Sequence, residues 1–305
     1  MNFSPVKILE DARLRGYAVG QFNVSNLEQI RAICEVAASM KSPVILGTSE
    51  GERKFIGLKQ IVAIVRAWQE ETGLPIILNA DHSKSYESAA AAYIAGYTAV
   101  HFDGSEMPYE KNLEITKQLV DYIKTGNPEA IVEGELGRIP GSSQIHDQNI
   151  VLKESDFTDP ELAAKFIKET GVDSLAVSFG NIHGIFGKGL EGAEKLDIWR
   201  LKAIREKIEI EIRRSGSEFR ESRAFLVLHG GSGISGEEIR ESIQNGIVKV
   251  NINTELRVAY VDALRETLAL KSSETTPYKI WPPAIEAVKR VVEEKIKLFG
   301  SANRV

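Results

Sequence analysis

Residues 74–82, LPIILNADH, decide how this chain is read. Leu74 and Pro75 lead into Ile76, Ile77 and Leu78, a short apolar run typical of a buried strand, and the run stops at Asn79, Asp81 and His82. A buried strand has no need of an Asp beside a His, so the pair either caps the next helix or carries chemistry. On both sides of this stretch the same pattern repeats: a strand-like run ends in polar residues, a helix-like run follows, and another strand begins.

Upstream, a helix over 6–15 ends at Gly16, a strand over 18–24 finishes in Asn23 and Ser25, and a helix covers 27–40. A second strand, 43–48, ends in Thr48 and Ser49, before a helix over 58–71. Downstream, an alanine-rich helix, 86–95, stops at Gly96, and a strand over 98–102 is ended by Asp103. A helix over 109–124 leads to strand five, 130–136, which contains Glu133 and Glu135. Residues 137–158 lack periodicity and read as a functional or mobile loop; Asp159 and Pro160 then open a helix. Strand six, 174–179, runs into His183 and Gly184, followed by a glycine-rich loop, a helix near 196–214 and a charged loop to Arg223. Strand seven, 224–228, runs into His229–Gly233, and Ser235 with Glu238 predicts a capping box on the next helix. Strand eight, 247–252, ends at Asn253 and Thr254; helices reach about Leu270 and then span 283–299.

Eight β-then-α units without a linker predict parallel strands, right-handed crossovers and closure into a barrel. The expected fold is α/β: a single (β/α)8 TIM-barrel catalytic domain over 1–305 with an additional C-terminal helix. A doubly wound open sheet is the alternative.

The chain of 305 residues carries 38 Lys and Arg against 43 Asp and Glu, a formal charge of -5, so no nucleic-acid partner is expected. An anionic substrate needs a local positive site. Cys34, the single cysteine, excludes an intrachain disulfide and a thiolate zinc site, and it fits a reducing compartment. No signal peptide is expected at the acidic N-terminus, and no apolar run approaches the roughly 18 residues of a membrane span. A cytoplasmic protein without a membrane partner is expected.

In a barrel the C-terminal strand ends meet on one face. Those ends hold Asp81, His82, Asp103, Glu135, His183, His229, Asn251 and Asn253. A single histidine there reads most simply as a partly buried ring bonded to backbone. Three of the chain's five histidines at three strand ends point instead to a metal. Neutral imidazoles suit Zn2+, and also Co2+ or Fe2+, and leave a coordination position open for Lewis-acid chemistry. Glu133 and Glu135 face one side of their strand, so each pairs with Lys or Arg or meets a cation; Lys249, inside strand eight, is the expected partner of Glu133. Asp103 and Glu135 are candidates for a second metal position. Gly230, Gly231, Ser232 and Gly233, and the segment from Asn251 to Thr254, precede helices and offer backbone N–H groups to a phosphate.

The segments QFNVSN, NADH, HFDGSEMPYEKN, VEGELG, SFGNIHG, LHGGSG, VKVNINTELR and KLFGSANRV occur in order over nearly the whole chain. In them the chain resembles the class II, metal-dependent ketose-bisphosphate aldolases, which act on fructose or tagatose bisphosphate. The resemblance implies that His82, His183 and His229 hold a catalytic zinc and that Asp103 and Glu135 match the position of a second divalent or a monovalent cation. Asp81 matches the proton-transfer aspartate. Gly184, Gly230, Gly231, Ser232, Gly233, Asn251, Asn253 and Thr254 match positions around the triose phosphate, and Asn23 and Ser49 match substrate contacts. It further implies a phosphorylated sugar as substrate, dihydroxyacetone phosphate and glyceraldehyde 3-phosphate as products, and a homodimer or homotetramer.

One departure stands out. The family carries a glutamate in the loop after strand five for the proton at the α carbon; here the loop reads GRIPGSSQIHDQN, and His146 or Asp147 is the substitute on offer. Ser83 and Lys84 also replace the His or Cys often found after the metal histidine. Lys279, before the last helix, is the candidate ligand for the second phosphate. A sugar-phosphate binding protein without turnover is the reading of another class. A Schiff-base aldolase would leave the histidine set unexplained.

Overall fold

A computed structural model describes residues 3–187, 195–215 and 224–305. The chain runs α1 (Pro5–Arg15), β1 (Val19–Asn23), α2 (Leu27–Ser39), β2 (Val44–Thr48), α3 (Glu50–Ile56), α4 (Leu58–Thr72), β3 (Ile76–Ser83), α5 (Tyr86–Ala95), β4 (Ala99–Phe102) and α6 (Tyr109–Gly126). It continues through β5 (Ile131–Leu136), β6 (Gly141–His146), a 3-10 turn at Glu154–Asp156, α7 (Pro160–Thr170), β7 (Ser174–Val177), β8 (His183–Phe186) and α8 (Ile198–Ser215). The last elements are β9 (Phe225–Leu228), α9 (Gly236–Gln244), β10 (Ile247–Ile252), α10 (Thr254–Leu270), α11 (Pro277–Ile280) and α12 (Pro282–Phe299).

Eight strands close a parallel barrel in the order β1-β10-β9-β7-β5-β4-β3-β2, which is the expected (β/α)8 fold. Helices cover the outer face of the strands and side chains fill the barrel within, so the strands are buried throughout. One face packs outward on the helices, as with Ile76 and Leu78 in the main core; the other fills the barrel, as with Ile77. Val6, Leu9 and Ala12 of α1 join the interior cluster and seal the end from which the strands start. The mouth is therefore at their C-terminal ends. The added C-terminal helix, α12, packs against α2 and α10.

The structure corrects several local expectations. Residues 50–56 form α3, a helix missing from the sequence reading, closed by a reciprocal capping box between Ser49 and Glu52. The loop after strand five contains β6, which pairs in parallel with β8 over the mouth. The capping box predicted at Ser235 is only half formed: Ser235 accepts the Glu238 N–H, but the Glu238 carboxylate takes the Ser235 hydroxyl and the Leu196 N–H. Most of the glycine-rich loop after His183 and of the charged loop before Arg223 lies outside the described residues.

Candidate metal centre at the barrel mouth

Neighbouring side chains on a regular strand point to opposite faces, so Asp81 and His82 need a distortion to share the mouth. β3 supplies one. Ala80 pairs with Val100 and Ser83 with Phe102, so Asp81 and His82 stand against His101 alone, as in a β-bulge. His82 has φ 46°, the left-handed region, at a cost of about 1–3 kcal/mol for a residue with a Cβ. Arg53 of α3, buried, grips both sides of the bulge, donating to the Asp81 carbonyl (3.1 Å) and the Ser83 hydroxyl (3.0 Å).

His82 Nδ1 lies 2.8 Å from Asp103 Oδ2, and His229 Nε2 lies 2.9 Å from Glu133 Oε1. With those nitrogens donating, His82 Nε2 and His229 Nδ1 turn their lone pairs toward each other at 3.1 Å. Lone pairs so placed repel unless a positive charge lies between them. The His183 ring is 5.0 Å from that of His82 and 6.0 Å from that of His229, centroid to centroid. Burial, then the neighbouring imidazoles, holds the pKa of His183 well below its ordinary value. Burial also leads the downward shift of His229, against Glu133. Neutral rings with bare nitrogens are the form that binds a metal. Glu135 Oε2 is buried with only His101 Nε2 near it, at 3.2 Å, and a donor set of imidazoles and carboxylates fits Zn2+. The outer partners match as well, since Asp103 and Glu133 orient the two rings.

His101 is the residue that the sequence reading missed. Its ring is wholly buried opposite the bulge. The ligand atoms of Asp81, His82, His101 and His229 lie within 4.8 Å of one another, as do those of His82, Asp103 and Glu135; His183 stands outside both groups. Burial disfavours a second proton on His101, whereas Asp81, Glu135 and Glu133 favour one. The His82 N–H, 3.1 Å from His101 Nδ1, opposes that: it requires a bare Nδ1 and leaves the proton on Nε2, 3.2 Å from Glu135 Oε2. The close backbone hydrogen bond decides the tautomer, because Asp81 Oδ1 is 3.7 Å away.

Asn23 donates to Asp81 Oδ2 (3.0 Å) and Asn251 to Oδ1 (3.3 Å). Burial opposes ionisation of Asp81, but the imidazoles of His82, His101 and His229 around it outweigh that and hold its pKa well below the carboxylate range. Asp103 is neutralised from outside by the Lys84 ammonium at 2.7 Å. Lys249 meets Glu133 at 2.7 Å, as expected.

A cavity of 210 Å³ opens beside Asp81, lined also by Asn23, Ser49, His183, Gly184, Gly230, Ser232, Asn251, Asn253 and Thr254. Gly231 and Gly233 lie outside this lining. The Gly231 N–H is spent on the Asn251 carbonyl, the Gly233 N–H on Glu255. His146 is also elsewhere: its Nε2 faces the His183 carbonyl at 2.8 Å. Lys279, on the short α11, pairs with Glu274 in the turn before it. The cation that does line the cavity is Arg257, in the first turns of α10, paired with Glu52 at 2.6 Å. The segment INTELR carried that signal, being a basic residue one helical turn beyond the strand end.

The family model for class II fructose-bisphosphate aldolases matches residues 4–304. Among solved structures, the YdjI aldolase from Escherichia coli K12 is 30% identical, with 100% of this chain and 99% of that chain covered and a TM-score of 0.80. Fructose-bisphosphate aldolase (Fba) from Campylobacter jejuni has the same fold at 23% identity, over 98% of this chain and 95% of that one, with a TM-score of 0.77.

Proposed function

Because this chain belongs to the class II fructose-bisphosphate aldolase family, we propose that it catalyses reversible aldol cleavage of a ketose 1,6-bisphosphate. Fructose 1,6-bisphosphate is the first candidate, giving dihydroxyacetone phosphate and glyceraldehyde 3-phosphate, and tagatose 1,6-bisphosphate is the alternative. His82, His183 and His229 would hold a zinc ion. The observation that carries this reading is the facing pair of bare nitrogens on His82 and His229, each ring fixed by a carboxylate behind it.

When bound, the ion supplies a Lewis acid that polarises the ketose carbonyl and stabilises the negative charge left after carbon–carbon cleavage. Asp81, ionised and held on both oxygens by Asn23 and Asn251, takes the proton from the hydroxyl on the β carbon and returns it in synthesis. Ser232 and the backbone around Gly184, Gly230 and Thr254 would receive the phosphate beside the carbonyl, and Arg257 faces the far end of the substrate. His146 is the titratable group that the loop offers for the proton at the α carbon; to serve, its Nε2 would leave the His183 carbonyl. Glu135, which has no Lys or Arg against it among the described residues, would take any second cation, since Lys84 already neutralises Asp103. The active form would be a homodimer or homotetramer.

The test is triose phosphate release from both bisphosphates before chelation, after it, and after adding back Zn2+. Cleavage should vanish with the chelator and return with Zn2+ or Co2+. Turnover by fully metal-free protein would overturn the proposal, and tight binding of both sugars without cleavage would make the protein a binder.

A further inference from the structure

A β-bulge leaves the backbone of its extra residue outside the ladder, and an unpaired buried N–H is costly. Here that N–H belongs to His82, the same residue that takes the left-handed conformation, with φ 46°. The residue facing the bulge across the sheet is His101. Its Nδ1 lies 3.1 Å from the His82 N–H, and its ring has no solvent exposure. The far side of the ring, Nε2, is 3.2 Å from the otherwise unpartnered Glu135 Oε2. On the other side of the bulge Arg53 secures the Asp81 carbonyl and the Ser83 hydroxyl, so the His82 N–H is the group between them that Arg53 does not reach.

We propose that His101 is a positioning residue for His82: it captures the N–H that the bulge sets free and thereby holds His82 in the backbone conformation that turns its imidazole into the mouth beside Asp81. Without that acceptor, a regular strand would send one of the two side chains to the opposite face. The strained conformation persists because it is gripped from both sides. His101 touches no substrate in this role; it acts through the geometry of a metal ligand. The inference rests on the reading of His82 as a metal ligand.

The experiment measures Zn2+ affinity by competition with a chromophoric chelator, and the visible absorption of the Co2+ form, on the full-length wild type and on His101→Leu, His101→Asn and His101→Gln. Far-UV circular dichroism confirms folding of each variant. The Asn carboxamide oxygen can take the place of Nδ1 and accept the His82 N–H. The Gln amide reaches instead toward the place of Nε2.

Loss of an outer partner of a metal ligand typically weakens binding by about 10- to 100-fold. His101→Leu and His101→Gln should show a loss of that size and an altered Co2+ spectrum, whereas His101→Asn should recover most of the affinity and the wild-type spectrum. Equal affinity in His101→Leu and wild type overturns the proposal, and so does an equal loss in His101→Asn and His101→Leu. If His101→Leu does not fold, the Asn and Gln variants decide, and Gln binding as tightly as Asn overturns it. Wild-type protein that binds neither ion would instead overturn the metal reading.

Discussion

The two ends of the barrel interior are built on the same strands with opposite chemistry. Near the end sealed by α1 the inward positions are Val19, Ile45, Ile77, Ala99, Ile131 and Phe225, packed on Val6 and Leu9. Two and four residues further along, the same faces of four of these strands carry Gln21 and Asn23, Asn79 and Asp81, His101 and Asp103, and Glu133 and Glu135. The floor stabilises the fold by removing apolar surface from water, at roughly 25 cal/mol per Å². The mouth buries carboxylates and imidazoles, which costs free energy unless each is paired, and the bulge with its left-handed His82 is at this end. Stability and chemistry are thus separated along one axis, and a substitution should affect one or the other according to its height in the barrel.

The largest effect on chemistry is expected at Asp81. Asp81→Ala should lower kcat by about 10²- to 10⁴-fold while the urea midpoint changes little, because relief of a buried carboxylate offsets the bonds lost from Asn23 and Asn251, and Asn23 keeps Glu52 as a partner. A fall in stability with kcat intact would reverse the assignment. Between the two ends, Lys249→Met strips Glu133 of its ammonium partner inside the barrel. Breaking one side of a buried ion pair costs about 3–5 kcal/mol, readable as a lower midpoint in chemical denaturation. At the floor, Ile77→Ala should cost about 2–5 kcal/mol and leave kcat and KM of the folded enzyme unchanged. Altered KM there would show that the two ends are mechanically coupled.

The sequence displayed most of this axis and hid its junctions. Strand ends were legible because each apolar run stops at a polar residue, which placed Asp81, His183 and His229 at one mouth before any coordinates. His101 was not legible: it lies within the run AVHF, and its importance depends on pairing with a bulge in β3, a relation between strands that local periodicity does not carry. α3 escaped because its seven residues, EGERKFI, are too few and too charged to show an apolar stripe, although its cap was present in Ser49 and Glu52. The β6–β8 sheet joins His146 to Phe186 across distant loops, so the His146 ring, a free loop group in sequence, is tied to the His183 backbone.

The smallest expected effect probes the boundary between floor and mouth. Gly47 on β2 pairs with Asn23 and Asn79. A Cβ built there would lie 2.5 Å from Asn23 Oδ1 and 2.6 Å from Gln21 Nε2, closer than real Cβ atoms approach. Both side chains are buried and bonded to each other at 3.1 Å, and Asn79 holds the Gln21 amide oxygen, so they cannot simply swing aside. Gly47→Ala should therefore cost about 1–3 kcal/mol through overpacking. Its location makes a second demand, because Asn23 also donates to Asp81; displacing it should lower kcat, in contrast to Ile77→Ala on the neighbouring strand. Steady-state kinetics and urea denaturation on the two variants distinguish the cases. If Gly47→Ala changes stability alone, Asn23 does not position Asp81, and the boundary between structural and chemical residues lies above Asn23 rather than below it.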